Sequence, residues 1–196
     1  MGNSYTNIAA TTAAVANRFV TTVAMKVGAY TVANASPVWQ GGCLVTVTHT
    51  AVSTVDTLGT IVVVGTDLAG QTISETITPL NGTVATGTKV FRSITSVTGV
   101  GWVSVAGDDS IVVGCAAGSI CLAGHGKLEA IVVNATAAAT VVISDARGTI
   151  ATLPASAVVG TYDYEGLDVV NIKVATTSTN DVTVIHSGSL PQTYAM

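Results

Sequence analysis

The sequence predicts an all-β protein, built as two small antiparallel β-sandwich or jelly-roll-like modules with an extended N-terminal arm. Three observations carry this. Val and Thr, stiff at Cβ and suited to a pleated surface, supply 32 and 31 of the 196 residues. Apolar and polar residues alternate with period two in many short runs. No segment sustains the 3.6-residue apolar period of an amphipathic helix, so helix content is expected to be low.

Taken in order, residues 1–35 are the arm. Ala9–Ala16 is rich in Ala and Thr and reads as a helical turn or an extended stretch. The first module spans 36–122. Leu44-Val45-Thr46-Val47-Thr48-His49 alternates as a half-buried strand. Thr60–Gly65 is more continuously apolar, as in a strand covered on both faces. Gln71–Thr78 alternates again, and Asp67-Leu68-Ala69-Gly70 between these two runs reads as a hairpin loop. Asn81-Gly82 marks a turn, and Lys89–Thr98 reads as one further strand. Gly99 and Gly101 announce a kink before a strand at Trp102–Val105. Gly107-Asp108-Asp109 then turns the chain into Ser110–Gly114.

Small residues fill Gly114–Gly126, which places a boundary near residue 123. The second module, 123–196, holds a second strand series: Lys127–Asn134, Thr140–Asp145, Gly148–Leu153, Gly160–Tyr164, Leu167–Val174 and Asp181–His186.

Composition excludes several functions. Only 9% of residues are charged, and 7 Lys+Arg against 11 Asp+Glu give a net charge of −4. A nucleic-acid binder needs clustered cations to displace counterions from phosphates, so no nucleic-acid partner is expected. The mean hydropathy is +0.61. Yet Ile131-Val132-Val133 stops at Asn134, and Val141-Val142-Ile143 at Ser144, far short of the roughly 20 apolar residues of a spanning helix. No membrane partner and no secretory signal are expected. So few charges leave a surface of Thr, Ser, Ala and Gly, which suits permanent assembly better than life as a lone monomer.

Motifs that carry chemistry are sparse. HExxH, Walker A and nucleophile-elbow patterns are absent, and no enzyme activity, cofactor or metal is expected. His49, His125 and His186 are read as surface or interface residues. Asp163, Glu165 and Asp168 hold oxygen ligands of the kind Ca²⁺ takes, but without EF-hand spacing, so they read as a solvated acidic turn after Tyr162 and Tyr164. Asp108-Asp109 is the other acidic pair. Trp39 and Trp102 read as core or interface anchors. Cys43, Cys115 and Cys121 lack CxxC spacing and read as buried, reduced thiols.

One segment resembles a known family. Ile61–Ile77 follows the V-x-G-T-D-x-x-G-x-x-x-x-E-T-I hairpin of tailed-bacteriophage virion proteins, and the style continues through Gly87–Val97. Residues 124–186 look like a further small β module of phage heads and necks. The resemblance implies a structural virion protein, similar to head decoration (cement) proteins. It would be assembled in the bacterial host cytoplasm, bind the major capsid protein or other virion proteins, and form a homotrimer. It defines no site residues. A neck, tail or fibre component is the alternative within that class. A β-rich adhesin or glycan-binding module is the alternative outside it. On the decoration reading, the first 35 residues would make the shell contact.

Overall fold

The computed structural model describes residues 3–51, 58–103 and 109–188. Every strand pairing among them is antiparallel and no helix occurs, so the all-β expectation holds. In chain order the strands are β1 (Asn3–Ile8), β2 (Val15–Ala24), β3 (Gly28–Tyr30), β4 (Cys43–Thr50) and β5 (Thr60–Thr66). Next come β6 (Thr72–Ile77), β7 (Val84–Phe91), β8 (Ser93–Val100), β9 (Ser110–Cys115) and β10 (Ser119–Val133). The last are β11 (Val141–Asp145), β12 (Gly148–Leu153), β13 (Gly160–Thr176) and β14 (Val182–Ser187).

The chain forms two compact units, but not the sequential modules expected. Unit 1 comprises Met1–Ala13, Val38–Gly42 and Ala117–Met196; unit 2 comprises Ala14–Pro37 and Cys43–Ala116. The arm expected over 1–35 is corrected: it supplies three strands. β1 pairs with β14, Asn3 opposite Ser187 through Ile8 opposite Val182. β2 pairs with β9, and β3 with β8. The reason is burial. Ile8, Phe19, Val20, Met25 and Tyr30 are each 5% exposed or less, and an arm would leave them in water. The boundary expected near 123 falls at Ala116/Ala117. The small-residue run after it opens β10, where Cys121, Leu122 and Ala123 are buried.

Unit 1 is one six-stranded sheet, ordered β1-β14-β10-β13-β11-β12. Its backbone is the pair β10 and β13, 15 and 17 residues long. The expected strands Gly160–Tyr164 and Leu167–Val174 are thus one strand. β14 joins this pair along Lys127–Val133, whereas β11 joins it along Lys173–Thr176. Both edges nevertheless feed the same core: Ile8 of β1 and Leu153 of β12 share a cluster with Leu128, Ile131, Ile143 and Ile172. The sheet therefore curls around its core. Thr12 fastens the chain beyond β1: its N–H donates to the Thr176 carbonyl (3.1 Å), and its hydroxyl accepts from Thr176 N–H (2.7 Å).

Unit 2 contains two four-stranded sheets, β2-β9-β4-β7 and β3-β8-β5-β6. Phe19, Val47 and Val113 of the first and Ile61, Val63 and Val97 of the second are wholly buried. β5 has one face buried and the other half-buried. The run Lys89–Thr98, expected as one strand, breaks at Arg92, because β7 pairs with β4 and β8 with β5. Consecutive burial of Val90 and Phe91 is incompatible with a single alternating strand and marks this crossing between sheets. The expected strand Trp102–Val105 and the turn at Gly107–Asp109 lie partly outside the described residues.

In the β5–β6 hairpin five motif residues, Gly65, Thr66, Asp67, Gly70 and Glu75, each have a structural task. A Cβ at Gly65 would collide with the Ser93 carbonyl, so only glycine fits where β5 shifts register against β8. The Thr66 hydroxyl bonds that of Ser93 (2.7 Å). Asp67, 2% exposed, builds the loop: its carboxylate accepts from Ala69 N–H (2.9 Å) and Gln71 N–H (2.8 Å). Gly70 holds φ +78°. Glu75 accepts from Thr88 N–H (2.6 Å) and Lys89 N–H (3.3 Å), fastening β6 to β7 of the other sheet.

Candidate functional site

The described residues present a surface groove of about 550 Å³ on unit 1, lined by His125, Lys127, Arg147, Asp168 and Ser187 among others. Its position follows from irregular pairing. The β10–β13 ladder shifts register between Leu122 and His125 and again between Leu128 and Ala130. On β13, Glu165 (φ 51°) and Asn171 (φ 60°) adopt the left-handed region that L side chains rarely enter. Asn171 is held there by its side-chain carbonyl, which accepts from Gly124 N–H (2.6 Å). Between these distortions Val169 is buried in the core cluster of unit 1 and Val170 is half-buried, and both line the groove.

Arg147 enters from the β11–β12 turn. That turn docks on β13 through Ala146 N–H, which donates to the Val170 carbonyl (2.7 Å). The guanidinium is fixed on two sides: Nε donates to Asp145 Oδ2 (2.8 Å), and Nη2 bridges Asp145 Oδ2 (2.7 Å) and the Asp168 carbonyl. Nη1 makes no hydrogen bond to another described residue. Desolvation pushes the Asp145 carboxyl up, but hydrogen bonds from Arg147 and from Val170 N–H outweigh it and hold the group below its ordinary range. Lys127 Nζ donates to the Gly166 carbonyl (3.2 Å) and lies 3.4 Å from Asp168 Oδ1. Ser187 Oγ donates to Glu129 Oε1 (2.6 Å). His125 is exposed on β10.

The groove gathers two residues singled out in the sequence, His125 and Asp168, and three that were not: Lys127, Arg147 and Ser187. A signal existed for two of these, since Lys127 and Arg147 are two of only seven cationic residues. Asp163, Glu165 and Asp168 are exposed, as expected, but they lie along β13 rather than in a turn. Among the described residues no group of three or more His, Cys, Asp and Glu converges on a possible metal position.

The expectation of three surface or interface histidines is corrected for two of them, which are buried within the chain itself. His186, 5% exposed, has Nε2 3.5 Å from Thr6 Oγ1, and burial holds its pKa below the ordinary value. His49 and Asp109 are each 1% exposed, and His49 Nε2 meets Asp109 Oδ2 at 3.0 Å. Trp102 stacks on His49, with ring centroids 6.4 Å apart and planes at 19°. The pair belongs to the interior of unit 2 because β4 and β9 are neighbours, with His49 opposite Ile111. The acidic neighbour Asp108 lies outside the described residues. Trp39 and Trp102 are both buried, and the three cysteines are free and buried.

No protein-family model, curated protein or solved structure matches the chain. The fold defines it as an all-β protein of two antiparallel units.

Proposed function

We propose that the chain is a non-enzymatic structural component of a tailed-phage particle that decorates or cements the head through protein–protein contacts. The observation that carries this reading is a contrast between sheet edges. In unit 2 the edges are blunted. Ala33 N–H donates to the Phe19 carbonyl (2.8 Å), and Arg18 Nε to the Ser36 carbonyl (2.6 Å), so residues 33–36 cover β2. Glu75 joins β6 to β7, and β3 is only three residues long. In unit 1 both edge strands, β1 and β12, are six residues long and carry neither charge nor proline, and Gln40 Oε1 takes one N–H of β1, that of Asn7 (3.3 Å). Such edges invite pairing with another chain, and natural proteins normally protect them. A permanent assembly covers them.

The hairpin motif of β5–β6 supports the phage assignment by resemblance, and the trimer comes from the same source. The shell contact falls to the edges of β1 and β12 rather than to an extended arm over residues 1–35, since the strands of that segment complete both units. The test is the double variant Thr149→Lys/Thr152→Lys on the exposed side of β12. Wild type is expected to sediment as an oligomer and to bind undecorated capsids. The variant, with unchanged circular dichroism, is expected to lose self-association or capsid binding. A wild type that stays monomeric at high concentration and ignores capsids would overturn the reading.

A further inference from the structure

We infer that the unit 1 groove binds a neutral saccharide through vicinal hydroxyl groups. The first argument is charge. Lys127 and Arg147 suggest an anion, but each is already matched, Lys127 by Asp168 and Arg147 by Asp145, and Glu129 stands behind Ser187. An approaching phosphate or sulfate would meet two cations with three carboxylates, Asp145, Asp168 and Glu129, beside or behind them. The groove therefore has no net attraction for an anion.

What the groove offers is a balanced set of directed donors and acceptors. Arg147 Nη1 and the remaining N–H of Lys127 Nζ are donors without a protein partner. Asp168 Oδ2 and the lone pairs of Ser187 Oγ are acceptors. The His125 ring supplies either role. A sugar hydroxyl donates one hydrogen bond and accepts others, so adjacent hydroxyls match alternating cation and carboxylate partners, and charge assistance strengthens each bond. Half-buried Val170, among the residues lining the groove, offers aliphatic surface to the ring's C–H face. The volume of about 550 Å³ lies within the usual range for small-molecule sites.

The groove is also held in shape before any ligand arrives. Arg147 is fixed on two sides, and the flanking backbone holds two left-handed non-glycine residues, Glu165 and Asn171. Strain of this kind concentrates at binding sites. None of these groups lies on β1 or β12, so the inference stands independently of the assembly reading.

The test is ¹H–¹⁵N correlation NMR on the full chain. It is titrated with a panel of neutral disaccharides of gluco, galacto and manno configuration, and separately with inorganic phosphate. At least one disaccharide is expected to shift the amides of Gly126, Val169, Val170 and Gly188 saturably. Asp168→Ala and His125→Ala, both at exposed positions, are expected to weaken binding tenfold or more while leaving the rest of the spectrum unchanged. The inference is overturned if no disaccharide shifts these amides, if phosphate shifts them and disaccharides do not, or if both variants bind like wild type.

Discussion

His49 Nε2 and Asp109 Oδ2 meet at 3.0 Å inside unit 2, with neither side chain more than 1% exposed. The contact ties β4 to the residue just before its neighbour β9, and Trp102 covers the imidazole. Asp109 also anchors a passing segment, since its carbonyl accepts from Met25 N–H (2.8 Å). Removing one member of a buried pair leaves the other in a poorly solvating interior, which typically costs about 3–5 kcal/mol. His49→Ala is therefore expected to lower the unfolding free energy measured in urea by an amount in that range, and the midpoint with it. A variant with an unchanged midpoint would mean that the pair contributes nothing to stability.

The two motif glycines of β5–β6 separate two physical causes. At Gly65 a methyl group has no room beside the Ser93 carbonyl, so Gly65→Ala should cost about 2 kcal/mol or more through overpacking. At Gly70 the space is open and only φ +78° opposes a side chain, so Gly70→Ala should cost about 1 kcal/mol. Denaturant unfolding of both variants measures the order. The reverse order would show that the backbone conformation, not the close approach, controls this hairpin.

Asp181 makes stability depend on pH. Its carboxylate accepts from Asn7 Nδ2 (2.8 Å) and Asn134 Nδ2 (2.9 Å), and these bonds hold its pKa below the ordinary 3.8. A group depressed in the folded state contributes stability above its unfolded pKa. That contribution is lost as pH falls through the lower folded value. The loss is thus confined to pH below about 4. Asn134→Ala should move the Asp181 carboxyl titration, followed by ¹³C NMR, back toward its ordinary value. An unmoved titration would remove the Asn134 bond from the explanation.

The thiols should be inert in the native protein. Burial pushes Cys121 up to about 12, and a hydrogen bond with Cys115, together with burial, holds Cys43 above its ordinary value; the same bond holds Cys115 below its own, so Cys115 is protected by its burial, at 0% exposure, and not by its pKa. The thiolate is the reactive form, so at pH 8 an aromatic disulfide reagent should react with no thiol of the folded chain and with all three in urea. Rapid reaction of one thiol before unfolding would contradict the buried placement.

The sequence alone determined that this protein is all-β, because strand preference and period-two alternation are local properties of Val- and Thr-rich runs. Several strands were legible within a few residues, among them β5, β6, β11, β12 and β14, and so was the β5–β6 loop. Ile143 and Leu153 could be assigned to strands without knowing their partners. Tertiary structure decided which strands meet. β1 was illegible because Asn3-Ser4-Tyr5-Thr6-Asn7-Ile8 carries little apolar pattern of its own; it becomes a strand only because β14 satisfies its backbone groups. The boundary at 116/117 and the returns at 38–42 were hidden for the same reason. The groove draws His125 from β10, Arg147 from the β11–β12 turn, Asp168 from β13 and Ser187 from β14. Sequence spacing holds no record of that meeting. It depends on bulges and pairing registers, which are set by long-range burial rather than by the residues next to them in the chain.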